Sequence, residues 1–269
     1  MKNILKSKLL VLCGFVLLLS GCTEVAITGR RQFTLVPDSM MNSLGFQSYS
    51  EFLSQNKLSK NISDTQLVKR VGSKIQKAVE QYCAQNNISD RLQGYQWEFN
   101  LIEDDQINAW AMPGGKMVVY TGLLKVTQSE PGLATVMGHE IAHVFAKHGA
   151  ERMTQNLIVD LGGMALSEAL ANRPAQTKSL FMKSYGVGTQ VGVLLRYSRV
   201  HENEADHLGL IFMAMAGYNP NEAVNFWQRM ALAKQGPQPL EILSTHPADS
   251  TRINNLQNLI PKAMQYYRQ

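Results

Sequence analysis

His139-Glu140-Ile141-Ala142-His143 is the stretch from which the rest of this chain is read. On an α-helix, residues four apart are neighbours, so the two imidazoles share one face. Glu140 sits about 100° round from His139, within reach of a water held by an ion between them. Two histidines and an intervening glutamate in this spacing are the pattern of a catalytic zinc helix. With six histidines in 269 residues, a chance match arises in about 0.6 per cent of shuffled chains, a false-positive risk small enough to build on.

Catalytic zinc takes three protein ligands and leaves its fourth position open, so a second helix must supply a donor. Glu202-Asn203-Glu204-Ala205-Asp206 offers one. Glu202 and Asp206 lie four apart on a common face, whereas Glu204 points about 200° away from Glu202. Glu202 is therefore the expected third metal ligand beside His139 and His143. Asp206, one turn on, is placed to accept the spare ring N–H of His139 or His143 and fix its tautomer. Glu140 is the candidate general base.

These residues carry a resemblance. HEIAH followed some sixty residues later by ENEAD resembles the gluzincin zinc metallopeptidases, in the branch holding HtpX, the CAAX prenyl proteases, the mitochondrial Oma-type proteases and bacterial periplasmic lipoproteins. Asn108-Ala109-Trp110-Ala111-Met112-Pro113-Gly114-Gly115, Val118-Val119-Tyr120-Thr121-Gly122-Leu123-Leu124 and Ser244-Thr245-His246-Pro247 with Arg252-Ile253 resemble further segments of that family. The match runs from about residue 65 to about 260. It implies a zincin-like α+β fold, mostly α, with two metal-binding helices and a small sheet whose edge strand borders the cleft. It further implies one zinc ion per chain, protein or peptide substrates, and a main-chain docking role for the edge strand at Asn108 and Ala111. His246 is implied either as a donor to the developing oxyanion or as a plug on the open zinc position, with Arg252 orienting its segment. His148, off the ligand face, is implied as a support for the ligands. His201 and His207 read as packing or surface residues.

The start of the chain points to an envelope. Lys2, Lys6 and Lys8 precede the apolar run Leu9 to Leu19, which is too short for a stable span and reads as a secretion signal over 1–21. Leu19-Ser20-Gly21-Cys22 resembles the bacterial lipobox, implying acylation at Cys22 and an anchor made of more than one acyl chain. Thr23 rather than Asp after it implies the outer membrane, facing the periplasm. Residues 22–37 read as a membrane tether and 38–269 as one peptidase domain, with no repeat.

Removing 1–21 takes away three lysines and no acid, so the formal charge falls from +5 to +2. No basic stripe remains to support nucleic-acid binding. Cys13 is expected to leave with the signal and the lipobox resemblance implies acylation of Cys22, so Cys83 is left without a disulfide partner and is expected to be a small buried hydrophobe.

Local signals divide the domain. Asp38 to about Gln55 reads as a helix. Ser63 or Asp64 is the expected cap of the next, with Leu67, Val71, Ile75, Val79 and Tyr82 on its buried face. Trp97, Phe99 and Leu101 alternate as a strand, Met117 to Tyr120 indicates another, and Pro113-Gly114-Gly115 marks a turn. Ser129-Glu130-Pro131 starts the first metal helix, with Met137, Ile141 and Val144 or Phe145 facing the core opposite the histidines. The second metal helix is expected from about Ser198 to Ala216, ending at Gly217. Between the metal helices, Gly162-Gly163 and Gly186-Val187-Gly188 suit either close helix packing or a movable lid. The function these readings support is a zinc endopeptidase, with envelope proteins as candidate partners. The alternative is a holdase or assembly chaperone with a structural zinc.

Overall fold

The computed structural model describes residues 22–160, 174–185, 198–233, 242–243, 246 and 250–267. The expected signal over 1–21 and both Gly-rich stretches of the insertion lie outside these residues, as do Ser244, Thr245 and Pro247.

Two short strands, β1 (Cys22–Glu24) and β2 (Arg31–Phe33), pair antiparallel and precede the helices α1 (Asp38–Gln55) and α2 (Ile62–Gln85). The stretch read as a bare tether is thus partly a hairpin. It docks on the domain: Val25 is fully buried, and Leu35 N–H donates to Thr154 Oγ1 at 3.0 Å. The cap of α2 is Asn61, whose side chain accepts from Asp64 N–H at 3.1 Å, rather than Ser63 or Asp64. Several polar residues close together offered a cap, and the first of them took it. Val71, Ile75, Val79 and Tyr82 are buried on this helix as its spacing predicts, with Leu67 half-buried.

The sheet holds β3 (Glu98–Ile102), β4 (Ala109–Met112) and β5 (Lys116–Tyr120) in the order β3-β5-β4. β3 runs parallel to β5 and β4 antiparallel, turning through Gly114 and Gly115 at φ +81° and +83°. β4 is therefore an edge strand of this sheet. Trp110 on it is buried, donates Nε1–H to the Tyr120 hydroxyl at 3.3 Å and meets Phe52 edge to face.

After α3 (Thr121–Thr127) comes α4 (Glu130–Phe145), whose cap Ser129 accepts from Gly132 N–H at 3.0 Å. α4 is buried on every face from Gly132 onward, not only opposite the histidines. The amphipathic reading fails here because α2, β4, α7 (Arg199–Met215) and α8 (Glu222–Ala233) all pack around it. α5 (His148–Asp160), α6 (Pro174–Tyr185) and α9 (Ser250–Ala263) complete the described helices. α7 is capped by Ser198, which accepts from His201 N–H, and stops before Gly217 at φ +84°. Among the described residues no helix is long and apolar enough to cross a membrane.

α4 and α7 lie antiparallel: Thr135 meets Met213, Gly138 meets Gly209, and His143 meets Glu202. Two glycines let the backbones touch. A Cβ on Gly209 would lie 2.9 Å from His139 N and 3.1 Å from the Gly138 carbonyl carbon. Gly209→Ala is therefore expected to pry the metal helices apart and cost about 1–3 kcal/mol of stability, seen as a lower melting temperature together with weaker zinc binding. Wild-type values for both would refute this account of the crossing.

Candidate metal centre

The helix crossing brings the chemistry together. His143 Nε2 lies 3.0 Å from His139 Nε2 and 3.3 Å from Glu202 Oε1, and His139 Nε2 lies 3.5 Å from Glu202 Oε2. A fourth donor joins them: His246 Nδ1 is 2.9 Å from Glu202 Oε1 and 3.1 Å from His139 Nε2. One ligand atom from each of these four buried residues falls within a span of 4.8 Å. Donors each about 2.0–2.1 Å from a tetrahedral ion stand about 3.3 Å apart, so the donor set fits zinc.

The protonation states of His143 and Glu202 suit the same group, whereas at His139 burial and Arg252 act downward but the hydrogen bonds to Asp206 and Glu202 hold the ring above the usual imidazole range. Burial pushes His143 well below the usual imidazole range, leaving the neutral ring a metal requires. For Glu202, burial acts upward, but the charges of His246 and Arg252 and the hydrogen bonds from both imidazoles hold it well below the usual carboxylate range. Burial pushes Glu140 up to about 7, opposed by His246. Its Oε1 accepts no well-aligned hydrogen bond and has His246 Nε2 3.3 Å away.

Asp206 Oδ1 lies 2.9 Å from His139 Nδ1. Arg252 Nη2 is also 3.2 Å from that nitrogen, but a guanidinium only donates, and His139 Nδ1 cannot both donate to Asp206 and accept from Arg252. The shorter contact puts the proton on Nδ1 and leaves Nε2 bare toward the other donors. Arg252, from α9, grips Asp206 through Nε and Nη2 at 2.9 and 2.6 Å, reaches Glu202 Oε2 through Nη1 at 3.0 Å, and lies 3.5 Å from the Trp227 ring centroid.

His148 is fully buried, with Nδ1 2.8 Å from His143 Nδ1 and Nε2 2.8 Å from Glu204 Oε2. Glu204 does point away from Glu202, yet it is not idle. His201 is buried rather than superficial, stacked on His148 and 3.0 Å from Glu151 Oε2. His207 is half-buried. Local spacing gives no role to Glu204, Glu151 or Arg30, because all three act across the fold. Cys83 is buried, and burial pushes its thiol up to about 11.

Along the edge strand, Tyr120 N–H donates to the Asn108 carbonyl at 3.1 Å. Asn108 therefore spends its carbonyl inside the sheet, correcting the expectation that it serves the free edge. Its side chain accepts from Ala109 N–H at 2.9 Å instead. Alternation then turns the main-chain groups of Ile107, Ala109 and Ala111 outward. Two of these groups are already taken: Ala109 N–H by the Asn108 side chain, and the Ile107 carbonyl by Ile242 N–H at 3.3 Å, while His246 N–H donates to the Ile242 carbonyl at 2.8 Å.

Two antiparallel helices that converge on a His/His/Glu donor set, beside a small sheet, define a zincin-like metal centre. The chain belongs to peptidase family M48, whose profile matches residues 70–260; the family's members are zinc metallopeptidases. It is 32% identical over 185 residues to the mitochondrial metalloendopeptidase OMA1 of Saccharomyces cerevisiae, covering 66% of this chain and 51% of that protein. With the protein of the same name from Schizosaccharomyces pombe it shares 31% identity over 242 residues, 89% of this chain and 66% of the relative. With the β-barrel assembly-enhancing protease of Yersinia pestis it shares 32% over 166 residues, 60% of this chain and 34% of the relative. The chain thus spans about half to two thirds of the length of these fungal relatives.

Proposed function

We propose that this protein is a zinc-dependent endopeptidase of protein quality control, anchored through lipid on Cys22 to the bacterial outer membrane and facing the periplasm. The observation that carries the reading is the convergence of His139, His143 and Glu202 from two helices, with Glu140 beside them. The apolar run Leu9–Leu19 ending in Leu19-Ser20-Gly21-Cys22 supports the anchor, and the Yersinia pestis relative supports the envelope setting. Misfolded or mislocalised envelope proteins are the substrates this setting suggests.

His139, His143 and Glu202 would hold the zinc ion, which when bound would supply an acidified water and polarise the scissile carbonyl. Asp206 holds the Nδ1 proton of His139 and so keeps Nε2 available as a ligand. Glu140 takes a proton from the attacking water as the C–O bond forms and then passes it to the leaving amine as the C–N bond breaks. The outward carbonyl of Ala109 and the main-chain groups of Ala111 receive the substrate as an added strand.

His246 acts as a plug in this reading. It sits among the ligand atoms, and Ile242, to whose carbonyl its N–H donates, takes the Ile107 carbonyl on the free edge, so metal and edge are covered together. His246→Ala is expected to raise basal cleavage of casein about tenfold, the effect of releasing a closed state favoured by about 1.4 kcal/mol. A fall in turnover would assign His246 to oxyanion stabilisation instead, and an unchanged rate would remove both roles.

A further inference from the structure

We propose that the β1–β2 hairpin is a positioning element of the metal centre: Arg30 and Thr28 hold Glu204, Glu204 holds His148, and His148 sets the tautomer of the zinc ligand His143. The inference rests on the zinc reading above.

The hairpin is joined to the centre by an unbroken chain of polar contacts. Arg30 Nε donates to Glu204 Oε2 at 2.8 Å, and the Thr28 hydroxyl donates to Glu204 Oε1. His148 Nε2 is 2.8 Å from Glu204 Oε2, and His148 Nδ1 is 2.8 Å from His143 Nδ1. A second branch steadies the first: Arg30 Nη1 and Nη2 grip Glu151 at 3.1 and 2.8 Å, and Glu151 also takes His201 Nε2 at 3.0 Å.

Proton accounting gives this chain a direction. A single proton lies between the two Nδ1 atoms. If it sat on His148, His143 would carry its own proton on Nε2, the nitrogen aimed at His139 and Glu202, and could not bind a metal. The proton therefore belongs to His143 Nδ1, which donates to a bare His148 Nδ1, and His148 in turn donates from Nε2 to Glu204. A ligand histidine ordinarily gives its spare N–H to a carboxylate or a carbonyl. For His139 that carboxylate is Asp206, in direct contact. For His143 it is Glu204, one imidazole further away.

Glu204 keeps this place because the hairpin reaches it. Its side chain is 4% exposed and Glu151 12%, so Arg30 is the cation that these two buried carboxylates share. The turn that delivers Arg30 is unusual. Val25 N–H donates to the Arg30 carbonyl at 2.8 Å, and the loop between holds Ile27 at φ +76° and Gly29 at φ +69°. A β-branched residue enters that left-handed region only where surrounding contacts over-determine it. Here they aim Thr28 and Arg30 into one carboxylate.

The test measures zinc affinity of the full chain in detergent micelles, by competition with a chromophoric chelator, together with the absorption spectrum of the cobalt-substituted protein. Arg30→Gln is expected to weaken zinc about ten- to hundredfold, the usual effect of losing support behind a ligand, and to shift the cobalt bands. Arg30→Lys restores the charge without the fork and recovers part of the affinity; Thr28→Val gives a smaller loss. Val68→Ala, a cavity on the buried face of α2 away from the relay, lowers the melting temperature and leaves zinc affinity alone. Folded Arg30→Gln with wild-type affinity and cobalt bands overturns the proposal, as does an equal loss in Val68→Ala. Should Arg30→Gln not fold, unchanged affinity in both Arg30→Lys and Thr28→Val overturns it. Failure of the wild-type chain to bind zinc would instead remove the peptidase reading itself.

Discussion

Glu140→Gln is expected to stop peptide cleavage while zinc still binds. The substitution keeps shape and volume and removes only the ability to carry the proton, so its effect reads the proton transfer alone. General-base help is worth roughly 10²- to 10⁴-fold, and a residual rate at that level is the expected result for casein with the full chain. Unfolding does not explain such a loss. The Glu140 side chain is 6% exposed and its pKa is pushed up by burial, so a neutral amide there leaves the fold as stable or more so. Melting temperature and chelator-measured zinc affinity close to wild type complete the pattern. The experiment also separates the two functional classes. A holdase with a structural zinc suppresses aggregation equally well in its wild-type and Glu140→Gln forms and cleaves nothing in either. Cleavage that survives both Glu140→Gln and zinc removal would sink the assigned role.

The metal centre was legible in the sequence because its geometry is local. A helix repeats every 3.6 residues whatever surrounds it, so His139 with His143, and Glu202 with Asp206, could be paired from spacing alone. The same rule separated Glu204 from Glu202, but it could not say what Glu204 faces instead. That needed the position of His148 on another helix and of Arg30 on a hairpin some 170 residues earlier in the chain. Arg30 sits in a segment with no periodicity, and composition alone made it a tether. Strand phase was lost for a related reason. Asn108 and Ala111 differ by an odd number of residues, so only one can turn its main chain outward, and the choice depends on the pairing of β4 with β5. Burial of α4 on all faces was also hidden, since amphipathic spacing assumes a helix with a wet side.

Arg252→Ala should be the most destabilising change at the centre. Its guanidinium is 5% exposed, doubly bonded to Asp206, within 3.0 Å of Glu202 and stacked on Trp227. Truncation leaves two carboxylates, 2% and 8% exposed, without their shared partner. Breaking a buried pair from one side costs about 3–5 kcal/mol, on the order of 10 °C in melting temperature for a chain of this size. The loss is expected to depend on the metal. With zinc bound, the charge of Glu202 is neutralised by the ion and only Asp206 is left exposed to the full cost; with zinc stripped, both are. The variant should therefore melt closer to wild type in saturating zinc than in chelator, and Arg252→Lys, which keeps the charge without the bidentate grip, should fall between. Equal melting of Arg252→Ala and wild type in chelator would show that these carboxylates do not depend on the arginine. An equal deficit with and without zinc would show that Glu202 and the ion do not compensate one another, and would count against Glu202 as the third ligand.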